Sequence, residues 1–87
     1  MLTLHDLASK LKAVEKEALQ KLSENRFDEK GLEAFKVEYL GRQGKITRIL
    51  RDIKQLAEDE RPKIGQMANE IKQTVGQKIE ALAAEIQ

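Results

Sequence analysis

The sequence predicts an all-α protein: an antiparallel helical hairpin or coiled-coil arm with an additional N-terminal helix. Three observations predict it. Apolar residues recur at steps of three and four almost throughout the 87 residues. The composition favours Ala, Glu, Lys, Leu, Ile, Gln and Arg, with one Pro and five Gly. The breaks between periodic segments are short, and short connections favour antiparallel neighbours.

The first element follows from Leu4, Leu7, Leu11, Val14, Ala18 and Leu22, whose spacing keeps one stripe on one helix face. Thr3 with Asp6 three residues later forms a capping-box variant, so the helix is expected from Leu4 to Leu22. Ser23-Glu24-Asn25-Arg26 interrupts the pattern. Asp28 is a good N-cap for a second helix, with Glu29 in its first turn to meet the helix dipole. Leu32, Phe35 and Tyr39 mark its apolar face, with Val37 and Leu40 on a flank. Gly41 is read as a left-handed C-cap, and Arg42-Gln43-Gly44 completes a turn.

A third helix of about three turns is read from Ile46, Ile49, Leu50, Ile53, Leu56 and Ala57. Glu58-Asp59-Glu60 then lead into a fourth helix whose first turn accommodates Pro62. That helix, about 62–87, carries Ile64, Met67, Ile71, Val75, Ile79, Leu82 and Ile86. Gly65 and Gly76 fall on nearly the same face of it, and ordinary tolerance is preferred over close approach of another backbone. The helical pattern runs to the last residue without a closing Gly, Asn or Pro, so an N-terminal fragment of a longer protein is expected. The last helix is expected to pack antiparallel against the earlier ones, with the 41–60 region at the distal end. Leu32, Phe35 and Tyr39 would face Ile71, Val75 and Ile79, with Leu7, Leu11 and Val14 covering the remainder.

Composition excludes several function classes. There is no Cys, hence no disulfide and no thiolate metal site. The single His5 lies on the first helical turn, where a solvated surface role outweighs a catalytic one. Ser9 and Ser23 sit in no triad pattern. Gly41-x-x-Gly44-Lys45 lacks the spacing of a phosphate loop and a preceding strand. No catalytic residue and no metal site is assigned, and the chain by itself is read as not an enzyme. No apolar run is long enough to cross a membrane, and no secretory signal opens the chain. With the absent cysteine, this fits a cytoplasmic location, which is the expectation. A chain of this size buries only about 60% of its unfolded surface, so some self-association to cover leftover apolar area is expected.

Sixteen Lys and Arg against fifteen Asp and Glu leave a net charge of +1. The balance is uneven. Residues 41–54 carry Arg42, Lys45, Arg48, Arg51 and Lys54 against Asp52 alone, a local +4 that leaves −3 for the rest. The basic residues at 45, 48, 51 and 54 wind around one helix side, opposite Ile46, Ile49, Leu50 and Ile53. Such a face is either simply solvated or a contact for a phosphate backbone. Charge alone does not separate these readings. Phe35 and Tyr39 fall on the apolar stripe, so no stacking platform for bases is evident, although the Tyr39 hydroxyl beside the turn could be exposed. Recognition by shape and phosphate is therefore expected over base reading.

Val37-Glu38-Tyr39-Leu40-Gly41-Arg42-Gln43-Gly44-Lys45-Ile46-Thr47, then Glu60-Arg61-Pro62-Lys63-Ile64-Gly65 and Asn69-Glu70-Ile71-Lys72, resemble one family. It is the N-terminal region of the bacterial-type phenylalanyl-tRNA synthetase alpha subunit. The resemblance covers about 4–87 and is strongest over 37–72. It implies an antiparallel helical arm projecting from a class II synthetase, an α2β2 heterotetramer with a beta subunit that uses ATP, Mg²⁺ and phenylalanine. It also implies a tRNA(Phe)-binding role for the single domain 1–87, with the catalytic domain absent and no cofactor in the arm itself. By position, Arg42 and Lys45 match the family's basic turn residues, and Gly41 and Gly44 its turn glycines. Arg48, Arg51 and Lys54 are assigned to tRNA binding on charge alone, and the first helix matches only in pattern. A helical protein-interaction module without a nucleic-acid role remains the alternative. Seryl-tRNA synthetases also carry a helical arm, but the two strings argue against them.

Overall fold

The computed structural model describes residues 3–24 and 26–86. Among the described residues four α-helices follow one another: α1 (Leu4–Glu24), α2 (Glu29–Leu40), α3 (Lys45–Arg51) and α4 (Arg61–Ile86). A 3-10 turn, Asp52–Gln55, continues α3. The described residues form no strand.

Each start is chemically marked. The Thr3 N–H donates to the Asp6 carboxylate and the Asp6 N–H to the Thr3 hydroxyl, both at 3.1 Å, which is the expected reciprocal cap. These bonds, the backbone one first, hold the Asp6 carboxyl below the usual carboxylate range. The Asp28 side chain accepts from the Gly31 N–H at 2.6 Å. Helix α1 runs two residues beyond Leu22, and the Ser23 hydroxyl bonds back to the Leu19 carbonyl. Asn25 and Gln87 lie outside the described residues.

Helix α4, at about 1.5 Å per residue, gives the molecule its long axis. The extents are 44 × 20 × 18 Å. The C-terminal ends of α1 and α4 border one surface depression together with Phe27, just before α2, and Leu32 near the start of α2. Helix α4 is therefore antiparallel to α2 but runs in the same sense as α1. This corrects the expectation of α4 antiparallel to all earlier helices: the chain reverses between α1 and α2 and again before α4, and two reversals restore direction. The α1–α4 contact is the most extensive in the bundle.

The core contains the expected stripes. Leu7, Leu11, Leu32, Phe35, Tyr39, Ile71, Val75 and Ile79 are buried, while Val14 is half-buried. Phe35 packs between Phe27 and Tyr39, with ring centroids 5.5 and 4.5 Å away. Gly65 and Gly76 have open space where a Cβ would stand, so no described residue of this chain approaches either of them closely.

The third segment departs from expectation. Its α-helix stops at Arg51, tightens into the 3-10 turn, and leaves Leu56 buried but Ala57 exposed. Arg61 accounts for this. Its guanidinium donates to the Leu56 carbonyl at 3.2 Å and the Lys54 carbonyl at 3.0 Å, binding the end of the segment to the start of α4.

Candidate nucleic-acid interface

The turn at 41–44 links α2 to α3 and depends on close approach. Gly41 has φ −70° and ψ 178°, so it is not the left-handed cap that was expected. Glycine is needed there because a Cβ would stand 2.5 Å from the Val37 carbonyl oxygen. At Gly44 a Cβ would meet the Tyr39 carbonyl carbon and oxygen at 2.6 Å. The Gly44 N–H bonds to the Gly41 carbonyl at 2.9 Å, and the Thr47 hydroxyl donates to that same carbonyl at 2.7 Å. Much of the V-E-Y-L-G-x-x-G-x-I-T string is thus the scaffold of the turn.

The turn is also tied to α1. Tyr39 is buried, as its place on the apolar stripe implied, and its hydroxyl, which the turn could have left exposed, donates to Glu17 Oε2 at 2.6 Å. Lys45 Nζ bonds to the same oxygen at 2.9 Å and lies 5.2 Å from the Tyr39 ring centroid. The Tyr39 and Lys45 bonds hold the Glu17 carboxyl below its usual range, in that order of effect. Burial first, and the Glu17 bond second, push the Tyr39 hydroxyl well above the usual phenol range. Glu17 lies in the second half of α1, so the turn sits part-way along the bundle. The 3-10 turn and loop 56–60 close the end where α4 begins.

Arg42, Lys45 and Arg48 line one shallow surface concavity with Val37, Glu38 and Gln43. Arg42 and Arg48 are exposed. Arg51 reaches back to the same turn, donating to the Arg42 carbonyl at 3.0 Å and to Gln43 Oε1 at 3.3 Å. Lys54 is exposed on the 3-10 turn, outside this concavity. Lys45 belongs to the cluster, but its charge is already answered by Glu17. Sequence reasoning missed three participants. Glu17 lies 28 residues from Lys45 and carried no local signal. Arg61 stood in the E-R-P string without a role. Val37 was placed on a flank, and it is 57% exposed beside the arginines.

Among the described residues no group of His, Cys, Asp or Glu is arranged to hold a metal ion, and no helix is long and apolar enough to cross a membrane. His5 is exposed.

Fold and site together define a small all-helical domain that presents a basic, glycine-bounded turn on its flank. The chain belongs to the class II aminoacyl-tRNA synthetase N-terminal domain family, whose model matches residues 28–87. Its relatives include proteins named phenylalanine–tRNA ligase alpha subunit. That of Macrococcus caseolyticus is 38% identical over 82 residues, 94% of this chain and 23% of the relative. That of Thermotoga petrophila is 42% identical over 65 residues, 75% and 20% respectively. That of Geobacillus thermodenitrificans is 41% identical over 75 residues, 86% and 22%. The chain thus spans about a fifth of the length of these relatives. No solved structure matches it.

Proposed function

We propose that this chain is the tRNA-binding arm of a phenylalanine–tRNA ligase alpha subunit, holding tRNA(Phe) by phosphate and shape contacts. The observation that carries the reading is the exposed Arg42 and Arg48 lining one concavity, with Arg51 on α3 bonded back to the adjoining turn. Guanidinium groups clustered beside such a turn can neutralise successive phosphates without reading bases. Lys54 extends the basic row toward the end of the bundle, and Lys45 supports it from within its ion pair. The mechanism is positional: the arm orients the tRNA so that its 3′ end reaches an active site elsewhere in the ligase. ATP, Mg²⁺ and phenylalanine serve that active site, and the beta subunit completes an α2β2 enzyme. The cytoplasm is where such an enzyme would work.

The protein-interaction alternative has less support, because Val37 and Ile86 are the exposed large apolar residues among those described. Self-association of the chain has equally little apolar surface to draw on.

Titration of the chain against tRNA(Phe) and an unrelated RNA hairpin, at several salt concentrations, tests the reading. With three to four phosphates neutralised, the slope of log K against log salt is expected to be about −2.7 to −3.6. Arg42→Glu with Arg48→Glu should abolish binding with helix content unchanged. Equal affinity of that double variant and the parent protein would sink the assignment.

A further inference from the structure

We infer that Glu17, on α1, is the positioning residue of the basic turn: it sets the stance of Arg42 and Arg48 and takes Lys45 out of the phosphate contacts. The inference rests on the tRNA-binding reading and adds to it a role for α1, which lies outside the residues 28–87 matched by the family.

One carboxylate oxygen joins three elements. Glu17 Oε2 accepts from Tyr39 at the end of α2 and from Lys45 at the start of α3. Tyr39 is fully buried, so its hydroxyl has no water to turn to if this acceptor is lost. The Tyr39 carbonyl is also the group against which Gly44 packs. A shift of Tyr39 therefore moves the turn itself. Lys45 is the first residue of α3, so docking its ammonium on α1 sets the direction in which α3 leaves the turn. Arg48 stands one helical turn further on, and its N–H bonds to the Gly44 carbonyl at 2.9 Å. Arg51 then returns to the Arg42 carbonyl and closes the unit.

The sign of one substitution separates positioning from plain electrostatics. Glu17→Gln removes a negative charge beside a basic face. If Glu17 merely competed with RNA for Lys45, the variant would bind RNA more tightly. If it positions the turn, the variant binds more weakly although its net charge has risen by one. The experiment measures tRNA affinity and its salt slope for Glu17→Gln, Tyr39→Phe, Lys45→Gln and the Glu17→Gln/Lys45→Gln double variant. Amide hydrogen exchange at Gly44 and Arg48, without RNA, reports the order of the turn independently. Circular dichroism confirms that each variant keeps its helices.

Glu17→Gln keeps an oxygen that accepts from Tyr39 but loses the ionic bond to Lys45, whereas Tyr39→Phe loses its hydrogen bond outright. Each is expected to weaken binding by about three- to tenfold, the range that weakening or loss of such a bond spans. Both should speed exchange at Gly44 and Arg48. Lys45→Gln should leave the salt slope unchanged, and the double variant should be no worse than either single one. Tighter binding by Glu17→Gln with unchanged exchange overturns the inference. So does a slope reduced by about 0.9 in Lys45→Gln, which would make Lys45 a phosphate contact. Should the parent protein bind no RNA at low salt, the tRNA reading fails by itself. The exchange data then decide the positioning role: faster exchange in Glu17→Gln sustains it, and unchanged exchange overturns it.

Discussion

Tyr39 carries its hydroxyl into a fully buried position, and the Glu17 carboxylate receives it. Removing that hydroxyl leaves Glu17 with Lys45 and water, so Tyr39→Phe should cost about 1 kcal/mol in urea unfolding. The pH dependence follows from the raised Tyr39 value. A phenol held protonated by the fold contributes stability that is whole below its unfolded value near ~10 and is lost as the pH climbs beyond it. The alkaline limb of a Tm-against-pH profile should therefore be shallower in Tyr39→Phe. The glycines divide sharply at this scale. Gly44→Ala forces a Cβ onto the Tyr39 carbonyl and should destabilise by about 1–3 kcal/mol. Gly65→Ala and Gly76→Ala meet open space inside a helix and should each stabilise by about 0.5–1 kcal/mol. Opposite shifts in urea midpoint would confirm both halves. The sequence showed that Gly41 and Gly44 punctuate a turn, but not that steric approach, rather than a left-handed φ, demands them.

Among the elements, α3 with its 3-10 extension is the one that sequence described least well. The periodicity of Ile46, Ile49, Leu50, Ile53 and Leu56 is compatible with one helix of three turns, and nothing local says where it tightens. The answer comes from Arg61, which takes the Lys54 and Leu56 carbonyls with one planar guanidinium. Arg61→Ala should speed amide exchange across residues 52–60 and cost about 1–2 kcal/mol. Arg61→Lys should not restore it, because an ammonium lacks the two-pronged donor geometry. Slow exchange retained in either variant would show that packing of Leu56 alone holds the segment. The packing of the core offers a second test. Ala18 and Ala68 are fully buried, and Ala68→Leu adds volume that the core does not have. It should lower stability by about 1–3 kcal/mol without changing helix content.

At the scale of the whole molecule, acid sensitivity has two identified sources. Asp6 and Glu17 both hold their carboxyls below the usual range, Asp6 through Thr3 and Glu17 through Tyr39 and then Lys45. Stability from a depressed carboxyl is present above its unfolded value, about 4, and is lost as the pH falls through the folded one. Tm should decline below about pH 4, and less steeply in Glu17→Gln.

The sequence by itself determined the helical class, the stripes that became the core, the caps at Thr3 and Asp28, and the +4 charge of residues 41–54. Each is a local quantity: a period, a cap or a run of charge can be read within a few turns of chain. The family strings were legible for the same reason, since the turn they build is contiguous. The tertiary structure alone decided that α4 runs with α1, that Glu17 reaches Tyr39 and Lys45 from 22 and 28 residues away, and that Lys45 enters the basic cluster already paired. Long-range pairings leave no period in the sequence. They depend on which faces of separate helices meet, and burial of the whole core settles that at once.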